Sequence, residues 1–292
     1  MDCMFGFLNV DKPSGITSFD AIRILQRRLG RAEKIGHAGT LDPFAQGVLV
    51  VCLGHATRLV RFLAQRPKHY QAEITLGATS STDDPEGEII PGPDAAIPSG
   101  LNIEAALAGF VGAIQQAPPA YSAVHVGGKR AYALARAGKK PILAAKPVMI
   151  HALELLGYEY PVLRIRVACG GGTYIRSLAR DIGQNLGTGA YCSKLVRTAV
   201  GPFRLDQARP AQDLRLPEDL VSPLRALEDM QVLALPAAQV EQVYFGRQGR
   251  SDCPATPGQA ALTDQAGNLI ALVRVGDDGF TLQPEMVFPP ER

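Results

Sequence analysis

The sequence contains no tryptophan and few other aromatic residues, with 8 tyrosines and 10 phenylalanines in 292 positions. Any stacking surface for a ligand would therefore have to use tyrosine, phenylalanine or histidine. The five cysteines lie far apart and include no Cys-x-x-Cys pair. This spacing indicates free thiols in a reducing compartment rather than a disulfide framework.

Long apolar runs are missing as well. The stretch from Val48 to Leu53 is much shorter than the ~20 apolar residues that a membrane-spanning helix needs. The start of the chain has neither a basic region nor an extended apolar region, so we expect no signal peptide. These absences favour a cytoplasmic protein with no membrane association.

Several cofactor and metal motifs are absent from the sequence. It has no P-loop, no Gly-x-Gly-x-x-Gly dinucleotide fingerprint and no Gly-x-Ser-x-Gly nucleophile elbow. The five histidines are scattered without the spacing of a zinc site. We therefore expect no metal and no cofactor, so that any catalysis would use side chains alone.

What is present is an ordinary globular composition, 46% hydrophobic and 20% charged, at a length typical of about two domains. The charge is segregated along the chain. Residues 1–70 hold 10 basic and 5 acidic side chains, and residues 71–120 hold 7 acidic ones and no basic one. Residues 121–209 hold 14 basic and 4 acidic, and residues 210–292 hold 6 basic and 12 acidic. The pattern favours a polyanionic partner such as nucleic acid, although ordinary variation among loops and tails would also produce it.

Hydrophobic periodicity predicts strands and helices in alternation, followed by a β-rich end. Strands are predicted at residues 5–10, 47–53, 70–76 and 163–167. One helix is predicted to start at a capping box that begins with Thr17, and a second to start after Thr173, which would be its N-cap. Short strand signals at residues 280–282 and 286–288, with glycine turns at 267–268 and 276–279, predict a small β-rich module. Proline recurs and the charge changes sign between residues 210 and 223, so we predict domains at 1–222 and 223–292.

One acidic residue lies in an unusual loop, residues 36–43 (GHAGTLDP). Its two glycines allow a tight backbone path, and Pro43 keeps Asp42 out of the helical conformation. The loop ends just before a hydrophobic strand, a position where nucleophiles and bases are often held. An ordinary Asp-Pro turn fits the same residues.

A second segment, residues 170–176 (GGGTYIR), combines a glycine-rich turn with the start of a helix. Arg176 falls in the first helical turn, where a cation opposes the helix dipole, so we expect a carboxylate or anion partner unless the side chain is solvent-exposed. Asp42 is a candidate, and pairing would keep it ionised. Tyr70 alternates with apolar residues along a strand, which places its ring inside, either as core packing or as a surface for an extruded base.

Together these segments resemble one family, the bacterial TruB-type tRNA pseudouridine synthases. The matching motifs are residues 6–18 (GFLNVDKPSGITS), 36–43 (GHAGTLDP), 68–70 (KHY), 82–87 (TDDPEG), 116–123 (QAPPAYSA), 172–178 (GTYIRSL), 194–198 (KLVRT) and 201–203 (GPF). They occur in the family's order and cover about residues 5–205. Residues 230–292 resemble, more weakly, the family's small PUA-like RNA-binding module.

The resemblance implies an α/β fold of the α+β type, in which a catalytic domain with a mixed, largely antiparallel sheet precedes the β-rich PUA-like module. It implies an isomerase that converts uridine 55 in the T-loop of tRNA to pseudouridine. Such an enzyme flips the base out of the RNA and needs no guide RNA, metal or cofactor. The expected partner is the T-arm of tRNA, and the expected state is a monomer.

The same resemblance implies the catalytic residues. Asp42 would be the nucleophile, attacking C6 of the base or assisting at C1′ of the ribose, and Arg176 would orient it. Tyr70 would stack on the flipped uracil and help a proton leave the sugar. Tyr174 would lie near C5 of the base, and Leu195 would line the pocket.

RNA contacts are expected at His37, Lys12, Lys129, Arg130 and Arg197. His37 would fill the space that the flipped base leaves, and Lys12 would either contact RNA or support the structure. The sequence departs from the family's usual residues at His125, Gly127, Lys146, Gly170, Gly171 and Val196. These departures bear on contacts with the RNA backbone and leave the catalytic residues unchanged.

Two other functions remain open from the sequence. An RNA-binding or tRNA-folding protein would use the same charge pattern and C-terminal module without essential catalysis. A guide-RNA-dependent pseudouridine synthase would share the catalytic segments, and activity without guide RNA would separate it from a stand-alone enzyme.

Overall fold

The computed structural model describes residues 4–29, 34–122, 143–288 and two short strands at 125–126 and 129–130. Its helices are α1 (Ser18–Leu29), α2 (Val60–Gln65), α3 (Gly100–Ala108), α4 (Ile175–Asn185) and α5 (Ala237–Tyr244), with 3-10 helices at Gly54–Leu59, Leu205–Gln207 and Pro223–Leu227. Its strands are β1 (Gly6–Lys12), β2 (Ile35–His37), β3 (Gln46–Leu53), β4 (Lys68–Leu76), β5 (Ala78–Ser80), β6 (Ile89–Pro91), β7 (Gly112–Gln116), β8 (His125–Val126), β9 (Lys129–Arg130), β10 (Lys146–Glu159), β11 (Val162–Cys169), β12 (Ala190–Val200), β13 (Phe203–Arg204), β14 (Arg209–Pro210), β15 (Gln231–Ala234), β16 (Gly249–Arg250), β17 (Gly258–Thr263), β18 (Leu269–Val275) and β19 (Thr281–Val287).

Ten strands form one mixed sheet in the order β14-β1-β3-β12-β4-β11-β10-β7, with β13 paired to β12 and β2 paired to β3. Most neighbours are antiparallel, while the pairs β1–β14 and β12–β3 are parallel. The predicted mixed, largely antiparallel sheet is confirmed. Strand β3 is buried from Gly47 to Leu53, which explains why its sequence is continuously apolar.

One face of the central strands carries the main core. Along β4, Tyr70, Ala72, Ile74 and Leu76 are buried and alternate with more exposed residues, as the sequence predicts. Helix α4 covers this face with the apolar stripe Ile175, Leu178 and Ile182. The packing leaves the first turn of α4 beside the ends of β4 and β12, where polar side chains collect.

Helix α1 begins with the capping arrangement that its sequence predicts. The Asp20 backbone N–H donates to Thr17 Oγ1 at 3.1 Å, and the Thr17 N–H donates to Asp20 Oδ2 at 3.0 Å. Two of the backbone donors left free at a helix start are thereby satisfied. Ala21, Ile22, Leu25 and Leu29 form the buried face of the helix.

The predicted β-rich module is a five-stranded sheet in the order β15-β17-β18-β19-β16. The two short strands predicted near residues 280 and 288 are in fact the single strand β19. Its register shifts by one residue opposite Leu272 and Val273, so Glu285 is an extra residue in the strand. This bulge accommodates Pro284, which has no N–H to donate to a regular ladder.

The C-terminal sheet shares a core with the rest of the chain. Phe7 of β1 and Leu227 lie in the same buried cluster as Ala261, Leu272 and Phe288. The Arg58 guanidinium lies 5.1 Å from the centre of the Phe288 ring, a cation–π distance. The module is therefore packed against the ten-stranded sheet. Across the described ranges of the chain, no helix combines the length and the apolar character needed to cross a membrane.

Candidate active site

A cavity of about 580 Å³ opens between the loop at residues 38–42, the ends of β4 and β12, and the first turn of α4. Asp42, Tyr70, Tyr174, Arg176 and Leu195 all line it. These are the five residues that the sequence predicts to be catalytic or supporting. The fold thus brings together side chains from four separate segments of the chain.

Asp42 and Arg176 form an ion pair in this cavity. Arg176 Nη2 donates to Asp42 Oδ1 at 3.1 Å, and Arg176 Nε lies 2.9 Å from Asp42 Oδ2. The arginine side chain is 4% exposed and the aspartate side chain 32% exposed. The guanidinium therefore holds both carboxylate oxygens from the buried side and leaves the carboxylate accessible from the cavity.

Arg176 also holds a second carboxylate. Its Nη1 donates to Asp84 Oδ2 at 2.9 Å and to the Thr82 carbonyl at 2.9 Å, and its Nη2 donates to the Tyr121 carbonyl at 3.1 Å. Asp84 is almost fully buried. The sequence includes Asp84 in the TDDPEG motif, but nothing in the local pattern identifies it as a partner of Arg176. The sequence predicts one carboxylate partner for Arg176, and the structure shows two, Asp42 and Asp84.

The next turn of α4 repeats this arrangement. Arg180 Nη1 donates to Asp83 Oδ2 at 2.9 Å, and Arg180 Nη2 donates to the Ala117 carbonyl at 2.9 Å. Asp83 adopts a positive φ of 60°. Two successive aspartates are thus held by two arginines one helical turn apart, which fixes the acidic turn against α4.

Burial raises the pKa of Asp42 above the ordinary 3.8 of an aspartate, and the nearby Asp84 carboxylate raises it further. The Arg176 guanidinium opposes this shift without reversing it. A carboxylate with a raised pKa is a stronger base and a better nucleophile than a solvated one. The ion pair with Arg176 therefore offsets part, but not all, of the free-energy cost of removing the Asp42 charge from water.

The loop that carries Asp42 is pinned from two sides. Ser18 Oγ accepts from the Leu41 N–H at 2.8 Å and donates to the Leu41 carbonyl at 3.0 Å. Arg197 Nη2 donates to the Gly39 carbonyl at 3.1 Å and Nη1 to the Thr40 carbonyl at 3.3 Å. Sequence reasoning missed Ser18, because a serine in the first turn of a helix carries no mark of a contact 23 residues away.

Lys12 and Arg197, two of the residues named as candidate RNA contacts, are buried beside the Asp42 loop. Lys12 is fully buried, and its Nζ donates to the carbonyls of Pro13 at 2.8 Å, Ile16 at 2.7 Å and Pro43 at 3.3 Å. Arg197 is 2% exposed and also donates from Nε to the Val48 carbonyl at 2.7 Å. These cations donate to backbone carbonyls beside the loop, which favours the structural alternative for Lys12 and gives Arg197 a structural contact, while contact of Arg197 with RNA stays a prediction.

Of the other residues predicted to contact RNA, the structure describes His37 in full and Lys129 and Arg130 by their backbone. His37 ends β2, is half-buried, and directly precedes the cavity-lining Ala38. Its pKa is lowered by burial and by the charge of Arg197, which favours the neutral imidazole. Lys129 and Arg130 form β9, which pairs with β8, and their side chains lie outside the described residues.

Tyr70 and Leu195 form the inner wall of the cavity. Both are buried, at 8% and 5% exposure, and they lie on the adjacent strands β4 and β12. Burial raises the pKa of the Tyr70 phenol, while Arg197 beside it acts in the opposite direction. The ring points inward, as the alternation along β4 predicts.

Tyr174 immediately precedes α4 and occupies its N-cap position. The sequence predicts Thr173 as the cap, but the Thr173 hydroxyl donates to the Gly170 carbonyl at 3.0 Å. Instead, the Tyr174 carbonyl accepts the first helical hydrogen bond, from the Leu178 N–H at 3.0 Å. The prediction of the cap is therefore wrong by one residue, because the glycine turn engages the threonine.

A close approach of two strands sets the position of the loop relative to Arg197. Gly47 has a φ of 106°, and a Cβ atom there would lie 2.3 Å from the Arg197 carbonyl oxygen. At this point β3 and β12 pair in parallel, Gly47 opposite Arg197. Only glycine allows this approach without displacing a strand.

The cavity provides an accessible carboxylate, three tyrosines (Tyr70, Tyr121 and Tyr174) and an apolar wall beside a buried arginine. In the part of the chain that the structure describes, no group of three or more histidine, cysteine, aspartate or glutamate side chains is placed to hold a metal ion. The geometry suits nucleophilic or base chemistry by Asp42 on a flat, partly apolar ligand.

Comparison with protein families agrees with this site. The N-terminal domain of the TruB family pseudouridylate synthases matches residues 27–175. The tRNA pseudouridylate synthase B C-terminal domain matches residues 176–230. The first match contains Asp42 and Tyr70, and the second begins at Arg176.

Curated relatives match over nearly the whole chain. The protein named tRNA pseudouridine synthase B of Xanthomonas axonopodis pv. citri (strain 306) is 41% identical over 295 residues, covering 98% of this chain and 94% of its own. The protein of the same name from Arthrobacter sp. (strain FB24) is 40% identical over 306 residues, covering 98% and 97%.

Solved structures show the same fold. The matching chain in a structure of an H/ACA RNP bound to a substrate RNA containing 2′-deoxyuridine has a TM-score of 0.72 and 26% identity, covering 98% of this chain and 86% of that one. A chain of a Cbf5-Nop10-Gar1 complex has a TM-score of 0.72 and 27% identity, covering 98% and 85%.

Proposed function

The chain belongs to the TruB family of pseudouridylate synthases, and we propose that it converts a uridine in the T-loop of tRNA, position 55, to pseudouridine. The reaction is an isomerisation that acts without a guide RNA. It breaks the C1′–N1 bond and forms a C1′–C5 bond, so no oxidant, water or phosphate is consumed. Side chains alone are sufficient for such chemistry.

The observation that carries this proposal is the accessible, desolvated carboxylate of Asp42. It accepts a hydrogen bond from Arg176 Nη2, lies in ion-pair contact with Arg176 Nε, and faces a cavity lined by three tyrosines. A protein that only binds RNA has no use for a carboxylate facing a polyanion, because that charge repels the phosphates. The site therefore favours catalysis over the alternative of an RNA-binding or tRNA-folding protein.

The roles proposed for the cavity residues are those that the family resemblance implies, and the positions of these residues support them. Asp42 would either attack C6 of the base or assist at C1′ of the ribose. Tyr70 stacks on the extruded uracil and Leu195 packs on its edge, since both form the inner wall. Tyr174 lies nearer the entrance, where a proton must leave C5 after the new bond forms.

The base reaches this cavity only after leaving its stack. Flipping costs a few kcal/mol and costs less in a loop than in a duplex, which suits a T-loop substrate. The volume of about 580 Å³ lies within the range of ordinary ligand pockets and accommodates one nucleotide. His37 would fill the vacated space in the RNA, and its position next to the lining residue Ala38 supports this role.

The rest of the chain would bind the tRNA. We assign catalysis to residues 1–222 and a supporting RNA contact to the PUA-like module at 223–292, because the two sheets divide at that boundary. The basic residues of segment 121–209 other than the buried Arg176 and Arg197, with Lys129 and Arg130 among them, would contact phosphates, and binding would weaken steeply with salt. A monomer acting on tRNA in the cytoplasm is sufficient for this role.

The test is release of tritium from C5-labelled uridine in an unmodified tRNA transcript, without guide RNA and with EDTA present. Wild-type protein should release tritium from the T-loop uridine. Asp42→Asn should release none while binding the transcript normally, and Asp94→Asn, which changes an exposed loop aspartate, should behave as wild type. Binding without release by the wild type would refute catalysis on this RNA and support the RNA-binding alternative.

A further inference from the structure

Tyr174 occupies a helix position that tyrosine rarely stabilises. It is the N-cap residue of α4, with an extended backbone at φ −102° and ψ 110°. Serine, threonine, aspartate and asparagine are preferred there because their side chains accept a hydrogen bond from the helix start. Among the described residues, the Tyr174 side chain makes no such capping bond.

The backbone of Tyr174 is held from another strand. Gln116 is the last residue of β7 and is 2% exposed. Its Oε1 accepts from the Tyr174 N–H at 2.8 Å, and its Nε2 donates to the Tyr174 carbonyl at 3.1 Å. The carboxamide thus satisfies both backbone polar groups of one residue, as a neighbouring β-strand would.

The segment that follows Gln116 is fastened to the same helix turn. The Ala117 carbonyl accepts from Ser177 Oγ at 2.8 Å and from Arg180 Nη2 at 2.9 Å. The Tyr121 carbonyl accepts from Arg176 Nη2 at 3.1 Å. These part-buried hydrogen bonds therefore fasten the end of β7 and the segment after it to the beginning of α4.

We propose that Gln116 is a positioning residue for the reaction, which acts by fixing the backbone of Tyr174 so that its ring faces the reacting base. The inference rests on the proposed function. A ring attached to an unheld N-cap residue would rotate with the fraying of the helix end, whereas the paired hydrogen bonds keep it extended. Small misplacements of catalytic groups reduce turnover strongly, by up to about 100-fold for 1 Å.

Gln116→Glu separates positioning from simple packing, because glutamate has the same size. When ionised, glutamate accepts from the Tyr174 N–H but has no proton to donate to the Tyr174 carbonyl. When protonated, it provides one acceptor and one donor, as the carboxamide does. We expect the kcat of Q116E, divided by that of wild type at the same pH, to fall about tenfold at pH 8 and to recover as the pH is lowered. The KM for tRNA should change little.

The matched control is Gln115→Glu, since Gln115 is the exposed neighbour on the same strand. It should show no pH-dependent loss. In a double-mutant cycle, Q116E should cause no further loss of kcat in a Tyr174→Ala background, because Gln116 acts through Tyr174. If Q116E does not fold, Gln116→Asn is the second variant, because it keeps the carboxamide but is one methylene too short to reach the Tyr174 backbone. Its kcat should then be low at every pH.

A kcat ratio for Q116E that stays constant with pH, or losses that add to those of Y174A, would overturn the role of Gln116. Wild-type turnover in the same assay would leave the proposed function standing in that case. Absence of tritium release from the wild type would instead overturn the proposed function itself.

Discussion

Asp42 and Arg176 are 134 positions apart in the sequence and meet through two contacts, of 3.1 and 2.9 Å. The same guanidinium reaches Asp84 at 2.9 Å on its other side. A planar group with five donors can bridge two carboxylates and two carbonyls, and no other side chain has that geometry. Asp42, the acidic turn and helix α4 are therefore all held by one residue.

Replacement of Arg176 by lysine should abolish turnover although the charge is kept. One ammonium group cannot hold both oxygens of Asp42 and also reach Asp84, so one carboxylate is left buried without its partner. We expect the free energy of unfolding to fall by about 3 kcal/mol. Urea denaturation and tritium release measure the two effects. Arg166→Lys, at an exposed ion pair on β11, is the control and should change neither.

The raised pKa of Asp42 predicts opposite effects of pH on activity and on stability. Turnover needs the carboxylate ionised, so it should rise with pH with a midpoint above 3.8. The folded state binds this proton more tightly than the unfolded chain does. The free energy of unfolding of wild type, minus that of Asp42→Asn, should therefore decrease as pH rises from 3.8 through the folded-state pKa. Urea titrations over this range that show a constant or increasing difference would contradict the assignment.

Replacement of Arg197 by methionine distinguishes a structural role from contact with RNA. The variant leaves the carbonyls of Gly39, Thr40 and Val48 without their donor, so the free energy of unfolding should fall by about 3 kcal/mol. Tritium release should drop because the Asp42 loop loosens, while filter-binding affinity for tRNA stays close to wild type. Arg204→Met, at an exposed position on β13, should leave stability unchanged. A large loss of tRNA affinity with normal stability would restore the RNA-contact prediction.

Alanine at position 47 should be strongly destabilising. The new Cβ would overlap the Arg197 carbonyl, and the positive φ is unfavourable for any residue other than glycine. We expect a loss of about 3 kcal/mol, from forced separation of β3 and β12. Gly15→Ala, which has a φ of 86° and open space around its Cβ, should cost only about 1 kcal/mol. Equal losses in the two variants would show that strand contact contributes nothing.

Local sequence patterns predicted the elements well where periodicity was strong. The alternation along β4, the apolar run of β3 and the Thr17–Asp20 cap all lie where the sequence indicates. Two predictions were wrong, the Thr173 cap and the two separate strands within residues 280–288. The Thr173 hydroxyl donates to a carbonyl of the glycine turn, and a bulge accommodates Pro284 within the single strand β19. The periodicity of hydrophobic residues indicates which side of a helix or strand is buried. It does not indicate which polar group from elsewhere in the chain will form a hydrogen bond with that element.

The sequence by itself determined the family and pointed to five residues that line the cavity, because these side chains lie in short motifs with distinctive residues. Tertiary structure decided what each cation does. Lys12 and Arg197 have the composition of RNA contacts, yet burial commits them to carbonyls around the Asp42 loop. The link from Gln116 to Tyr174 is likewise invisible in the chain, since it joins residues 58 positions apart. A hydrogen bond or ion pair depends on distance in space, which only the folded sheet establishes.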